Sequence, residues 1–105
     1  MRSKLPVVKR VFDADICRDG GSYYFCFESD DGHWYELFLR TRAFEPNATA
    51  SHDPPAIYLE SSNDGQLIRN LSWTEGKAFV AEFTYDSKRF QELLAIVANE
   101  GMAIN

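Results

Sequence analysis

Short runs of apolar and aromatic residues alternate with polar positions over residues 7–85, and several of the turns between the runs end in glycine. A type I turn followed by a left-handed glycine is a common three-residue hairpin loop. Runs rich in Phe, Tyr, Trp, Val and Ile between such turns predict antiparallel strands. We expect six strands, at 7–17, 22–29, 33–41, 56–61, 66–73 and 77–85.

The turn Asp30-Asp31-Gly32 predicts the register of the second and third strands. A three-residue loop places Phe27 opposite Tyr35 and continues into one apolar face, whereas a two-residue loop would place Phe27 opposite Glu36. A slip of one residue moves every side chain of a strand to the other face. The apolar match therefore favours the three-residue loop.

The turn Asn63-Asp64-Gly65 leaves two registers open. A two-residue loop pairs Glu60 with Arg69, and a three-residue loop pairs Ile57 with Leu71. Both are ordinary hairpin connections, and both join strands of suitable length. The sequence therefore predicts the hairpin without choosing its register.

The turn Thr74-Glu75-Gly76 predicts a further hairpin at the end of the sheet. As a three-residue loop it pairs Leu71 with Phe79 and Leu67 with Phe83. Both pairs are apolar, which is the arrangement expected on the buried face of a sheet. We accordingly expect residues 77–85 to form the sixth strand.

The chain has two cysteines, and we expect both to be reduced. A two-residue turn at Gly20-Gly21 places Cys26 opposite Asp15, so that Cys17 does not face Cys26 and cannot form a disulfide with it. Secreted domains of this size that rely on disulfides usually contain four or more cysteines. The cysteine content thus favours a reducing compartment.

One helix is predicted near the C-terminus, over residues 87–100. Asp86 or Ser87 can cap it, and Gly101 suits the position just after it. Four apolar residues follow helical spacing, namely Phe90, Leu93, Leu94 and Val97. This apolar stripe must be buried against one face of the sheet. We therefore expect a single α+β domain over 1–105, in which one helix packs on an antiparallel meander that could curl.

Composition and charge exclude several functional classes. Sixteen acidic residues against eleven basic ones give a formal charge of −5, whereas nucleic-acid binding usually requires a basic surface. The basic residues near the N-terminus, from Arg2 to Arg10, fit a solvated tail. No apolar segment is long enough to cross a membrane, and the first residues do not form a signal peptide. We expect a cytoplasmic protein that binds neither nucleic acid nor membrane.

The predicted face opposite the helix combines aromatic and acidic residues, and this is the candidate binding site. An antiparallel sheet with one solvated face normally carries mostly polar residues there. Large aromatic residues among carboxylates are typical of a protein-binding surface. They also fit a second core beneath a curled sheet or a covering loop, and they fit a small-ligand pocket. The candidate residues are Tyr24, Trp34, Phe38, Asp13, Asp15, Glu28 and Glu36.

Catalytic and metal-binding motifs are missing from the sequence. It has no nucleophile elbow, no phosphate-binding glycine loop and no Cys-x-x-Cys. His52-Asp53 resembles half of an acid–base pair, but adjacent residues rarely face each other usefully. We therefore expect no enzymatic activity, no metal and no cofactor. The segment that contains this pair, 41–55, is a proline-rich connection of a length that is often functional.

The order of the segments resembles the small acidic immunity proteins of bacterial polymorphic-toxin systems. The resemblance covers most of the chain and lies in an opening strand, three aromatic strands with a Pro-containing loop before the last of them, a further hairpin, and a closing helix with a Leu-Leu pair. The segments are Val11-Phe12-Asp13-Ala14-Asp15, Tyr24-Phe25-Cys26-Phe27, Tyr35-Glu36-Leu37-Phe38-Leu39-Arg40, Ile57-Tyr58-Leu59-Glu60 and Leu93-Leu94. It implies a cytosolic protein without catalytic activity that binds and blocks a cognate toxin.

Three functional hypotheses follow from these patterns. The first is a small acidic module that blocks or sequesters a basic protein, such as a toxin, through the aromatic and acidic face. The second is a small-ligand pocket protein or small enzyme in which segment 41–55 acts as a lid. The third is a homodimer built on the same face or on an unpaired edge strand.

Overall fold

The computed structural model describes residues 5–16, 22–40 and 56–103, which form five strands and two helices. The strands make one open antiparallel sheet in the order β1-β2-β3-β4-β5. The α+β meander is therefore confirmed, with one strand fewer and one helix more than predicted. The elements are β1 (Val8–Ile16), β2 (Ser22–Ser29), β3 (Trp34–Arg40), β4 (Ala56–Ser61), β5 (Leu67–Leu71), α1 (Trp73–Val80) and α2 (Lys88–Ala103).

Both helices pack on the same face of the sheet, which we call the helix side. Phe25, at the centre of the sheet, makes edge-to-face contacts with Phe83 and Phe90 at centroid distances of 5.2 and 5.6 Å. Such aromatic pairs stabilise a core beyond the area they bury. The apolar sheet residues with no exposed surface are Tyr23, Phe25, Phe27, Leu37, Leu39 and Leu59.

The predicted register of β2 and β3 is confirmed. Phe27 lies opposite Tyr35, and Gly32 has a φ of +87°, which a three-residue loop with a left-handed glycine requires. Between β4 and β5, the structure adopts the register that pairs Ile57 with Leu71. The alternative register would have moved Leu71 off the buried face, so burial decides between the two.

The register predicted for β1 and β2 is wrong by two residues. Cys26 lies opposite Asp13, and Asp15 lies opposite Tyr24. β1 ends at Ile16 and β2 begins at Ser22, so the connection is longer than a two-residue turn. A slip of two residues keeps each side chain on its face, and the apolar alternation therefore could not reveal it. Gly20-Gly21 and Cys17 lie outside the described residues.

The predicted sixth strand is also wrong, because residues 73–80 form α1. Ser72 and Glu75 make a capping box, in which the Glu75 amide donates to Ser72 Oγ and the Ser72 amide donates to Glu75 Oε1, each at 3.0 Å. This reciprocal bonding satisfies two amides at the start of a helix. Phe79 and Val80 then reach the core on the helix side.

α2 confirms the predicted C-terminal helix but extends beyond it. The Phe90 amide donates to Ser87 Oγ at 3.0 Å, so Ser87 rather than Asp86 caps the helix. Phe90, Leu93 and Val97 are buried and Leu94 is partly buried. Gly101 lies within the helix and not after it, because regular helix continues to Ala103.

Candidate functional site

All seven candidate residues lie on β1, β2 and β3, on the sheet face opposite the helices, which we call the outer face. None of the elements in the described part of the chain covers this face. Trp34 at one end keeps 43% of its surface exposed, and the other aromatic residues are half-buried. The sheet thus brings together Asp13, Asp15, Tyr24, Glu28, Trp34, Glu36 and Phe38.

The register arranges most of the outer face in two rows that cross the strands. Direct pairing links Asp13 to Glu36 through Cys26 on β2, and then Glu36 to Glu60 on β4. We call Asp13, Glu36 and Glu60 the acid row. Neighbouring strands are about 4.8 Å apart, so Glu36 and Glu60 are immediate neighbours, whereas Asp13 lies two strands away from Glu36.

The second row consists of Tyr24, Phe38 and Tyr58, and we call it the aromatic row. The rings of Phe38 and Tyr58 stack with a centroid distance of 5.4 Å and an interplanar angle of 17°. Tyr24 meets Phe38 at 6.2 Å with a tilt of 43°. Tyr58 was missed from sequence because segment 41–55 hides which strand pairs with β3. The row lies two residues along each strand from Cys26, Glu36 and Glu60, on the same face.

A further aromatic pair, Phe12 and Trp34, lies on the other side of the acid row. Their rings stack at 4.1 Å with an angle of 14°. The guanidinium carbon of Arg10 lies 4.3 Å from the Phe12 ring centroid, and its Nε is 3.3 Å from Glu28 Oε1. Glu28 is therefore already paired within the chain. Arg10 belongs to β1 and is not part of a solvated tail.

A bulge in β1 explains why the sequence did not indicate Phe12. The register of β1 shifts between Val11 and Asp13, which leaves Phe12 as the extra residue. Strict alternation counted back from Ala14 would place Phe12 on the helix side. The bulge instead turns Val11 into the core, where only 7% of it is exposed. One irregular residue thus adds an aromatic ring to the outer face.

Two carboxylates of the acid row oppose each other directly. Glu36 and Glu60 are partners on adjacent strands, and neither makes a hydrogen bond or an ion pair within the described residues. Burial, and then the charge of Glu60, raise the pKa of Glu36 above its ordinary value. Like charges directly opposite on a sheet destabilise the fold. This pair is therefore a destabilising feature that the rest of the sheet offsets.

The two aspartates have partners within the chain. Asp13 Oδ2 accepts from the Tyr24 hydroxyl at 3.1 Å, and Asp13 Oδ1 accepts from the Ala14 amide at 2.9 Å. Asp15 Oδ1 lies 3.6 Å from Arg89 Nε of α2, so it makes an ion pair at the sheet edge. Glu36 and Glu60 are thus the acids of the outer face with the least compensation among the described residues.

Cys26 lies in the acid row between Asp13 and Glu36. Burial, and then the charges of Glu36 and Asp13, raise the pKa of its thiol. A raised pKa disfavours the thiolate, which is the nucleophilic form. Cys26 therefore packs as a small apolar group, and its acidic neighbours are Glu36 and Asp13 rather than the Asp15 predicted from sequence.

Other candidate sites contribute less. Segment 41–55, with His52 and Asp53, lies outside the described residues, so its role as a lid stays a prediction. A groove of about 280 Å³ runs between residues 5–7 and α1, with Glu75 and Glu82 among its lining residues, and it does not include the outer face. Within residues 5–16, 22–40 and 56–103, no group of three or more His, Cys, Asp or Glu side chains is placed to hold a metal ion.

The helices of the described part are too short or too polar to cross a membrane. No family model, no curated protein and no solved structure matches the chain.

Proposed function

We propose that the chain is a small cytoplasmic binding module without catalytic activity that blocks or sequesters a basic protein, in the manner of a toxin-immunity protein. One observation carries the proposal: the outer face holds an acid row between two groups of stacked aromatic rings. The partner binds across this face, and the mechanism of inhibition is steric.

The aromatic residues supply the contact energy. Trp and Tyr are enriched among the residues that dominate binding at interfaces, particularly near the centre of the contact. On this face Trp34 is exposed on one side of the acid row, and Phe38 and Tyr58 are half-buried on the other side. Rings already stacked in the free chain lose little conformational freedom on binding.

The acidic residues select the partner and speed the encounter. The chain carries a net charge of −5, and Glu36 and Glu60, which have no ion-pair partner in the described part of the chain, concentrate negative charge at the middle of the outer face. Complementary charges raise association rates, and salt screens them over about 10 Å at 0.1 M ionic strength. A basic partner is therefore expected to bind more slowly and more weakly as salt increases.

Affinity capture tests the proposal directly. We would immobilise the wild-type chain, incubate it with lysate from the organism that encodes it, and elute at low and high salt. Trp34→Ala/Glu36→Ala removes one aromatic group and one charge from the outer face. Val7→Ala/Glu82→Ala is the matched control, because both residues are exposed and both line the groove beside α1.

The proposal predicts one basic protein that wild type and the control variant capture, that high salt releases, and that the outer-face variant retains at least about tenfold less. If the outer-face variant still captures the partner and the control variant does not, the partner binds at the groove beside α1. Capture that neither variant affects would contradict the assignment to the outer face.

A further inference from the structure

We propose that the outer face is selective for arginine: a guanidinium group of the partner binds between Glu36 and Glu60 and stacks on the rings of Phe38 and Tyr58. The inference rests on the proposed function and specifies the chemistry of the partner. It predicts that the partner presents arginine rather than lysine at the centre of its contact surface.

The chain already holds one of its own arginines by one aromatic ring and one carboxylate of the outer face. Arg10 lies over the ring of Phe12, with its guanidinium carbon 4.3 Å from the centroid, while its Nε contacts Glu28 at 3.3 Å. The same face therefore contains an arginine held between an aromatic ring and a carboxylate. This arrangement combines a cation–π contact with a charge-assisted hydrogen bond.

The centre of the face repeats these groups, and there Glu36 and Glu60 make no ion pair with an arginine of the described residues. Phe38 follows Glu36 by two residues on β3, and Tyr58 precedes Glu60 by two residues on β4. Each ring therefore lies about 7 Å along the strand from its carboxylate, on the same face. Four side chains thus form two adjacent pairs, with two carboxylates on one side and two stacked rings on the other.

A guanidinium group fits this arrangement better than an ammonium group does. It is planar and stacks on aromatic faces, and its donors fork in a fixed geometry that can reach two carboxylate groups at once. A lysine ammonium is more strongly hydrated and has no planar surface to stack. The stacked rings of Phe38 and Tyr58 therefore discriminate between the two cations, whereas the carboxylates attract both.

Direct opposition of Glu36 and Glu60 provides a reason for binding a cation. Both carboxylates are half-buried, and each repels the other in the free chain. A cation between them removes this repulsion. Part of the binding free energy therefore comes from the loss of the electrostatic repulsion that the free chain carries. Arg40 makes no ion pair with Glu36 or Glu60, and its position on β3 is separated from that of Glu36 by Phe38.

Two peptides that differ only in the cation test this inference. We would titrate the full chain with acetylated oligo-arginine and oligo-lysine of equal length, about six residues, which spans the acid row when extended. The readout is the dissociation constant by isothermal titration calorimetry at low salt. Wild type is expected to bind the arginine peptide about threefold to tenfold more tightly than the lysine peptide.

Two outer-face variants separate the contributions. Phe38→Leu/Tyr58→Leu keeps apolar side chains in the sheet but removes the ring surfaces, and it is expected to bring the two affinities within about twofold of each other. Glu36→Gln/Glu60→Gln is expected to weaken both peptides about tenfold or more. The control Asp30→Asn/Glu82→Gln removes the same two charges from exposed positions off the acid row, and it should preserve the preference for arginine.

The outcomes distinguish this inference from the proposed function. Equal binding of the two peptides by wild type, or a preference for arginine that survives loss of both rings, would overturn the arginine site while leaving a cation-binding face. Binding that Glu36→Gln/Glu60→Gln and the control variant weaken equally would contradict the proposed face itself. Melting temperatures of all variants confirm that each remains folded during the titration.

Discussion

Glu36 connects the stability of the free chain with the function that we propose. Its carboxylate lies half-buried opposite Glu60, and both burial and that neighbour raise its pKa. A core or a plain solvated face has no need of such a pair. The pair suits the function that we propose, because a cation bound between the two carboxylates would replace their mutual repulsion with attraction.

Replacing Glu36 is expected to stabilise the free chain in a pH-dependent way. A raised pKa in the folded state means that ionisation favours the unfolded chain, so wild type loses stability as pH rises from 4.5, the ordinary value, through the folded value. Glu36→Gln lacks this penalty. It should unfold with a free energy about 0.5 kcal/mol higher than wild type at pH 7, and with no advantage below pH 4.5.

Urea denaturation of both proteins at several pH values measures this difference. Glu82→Gln serves as the control, because Glu82 is exposed and has no carboxylate opposite it on a neighbouring strand. A Glu36→Gln variant that is less stable than wild type at pH 7 would contradict this prediction. It would show that the Glu36 carboxylate makes a favourable interaction in the free chain that outweighs its repulsion by Glu60.

At the scale of elements, the sequence predicted the sheet better than the connections. The β2–β3 register followed from matching Phe27 to Tyr35, because the turn Asp30-Asp31-Gly32 is short and specific. The β1–β2 register could not be predicted in this way, because a slip of two residues leaves each side chain on the same face of the sheet. Turn length, which decides such a slip, is only weakly encoded where several glycines and polar residues occur together.

α1 was missed although its signals are present in the sequence. Ser72 and Glu75 have the spacing of a capping box, and Gly76, Phe79, Val80 and Phe83 have helical spacing. The same residues also alternate well enough for a strand, and Gly76 fits a hairpin turn. The structure shows another reason for this glycine, which is the close approach of α1 to β4.

Gly76 is therefore expected to resist replacement by alanine. An added Cβ would lie 2.5 Å from Cδ1 of Ile57, a residue that is 1% exposed and so has little room to move. Alanine favours helix by about 1 kcal/mol over glycine, whereas overpacking costs about 1–3 kcal/mol. Gly76→Ala should thus lower the free energy of unfolding by about 1 kcal/mol.

The double variant Gly76→Ala/Ile57→Val provides the check on this prediction, because the smaller side chain relieves part of the contact. Gly76→Ala should therefore lower the free energy of unfolding less in the Ile57→Val background than it does in wild type. An increase in melting temperature on Gly76→Ala alone would mean that helix propensity outweighs the contact with Ile57.

At the scale of the whole molecule, the sheet separates the core on the helix side from the outer face, where we propose that a partner binds. The seven candidate residues could be placed on one face from sequence because their positions follow the period of a strand. The sequence did not place three further residues on this face. A bulge in β1 moves Phe12 to the outer face, and the long segment 41–55 conceals that Tyr58 and Glu60 pair with β3.

The charge of the outer face also bears on self-association. A second copy docked on the same face would bring Glu36 and Glu60 against like charges, which disfavours a homodimer through this surface at neutral pH. A homodimer could still form through an edge strand, and β1 and β5 are the edges of the sheet. On β5, Leu67 and Ile68 are 50% and 41% exposed. A native mass measurement at working concentration distinguishes a monomer from a dimer.

Site-specific photo-crosslinking in living cells tests the central claim most directly. The photoreactive amino acid p-benzoylphenylalanine would replace Trp34 on the outer face in one sample and Ala98, an exposed residue of α2, in another. Our account predicts a crosslink to one basic protein from position 34 and none from position 98. The same protein crosslinked from position 98 and not from position 34 would place the partner on the helix side and contradict the account.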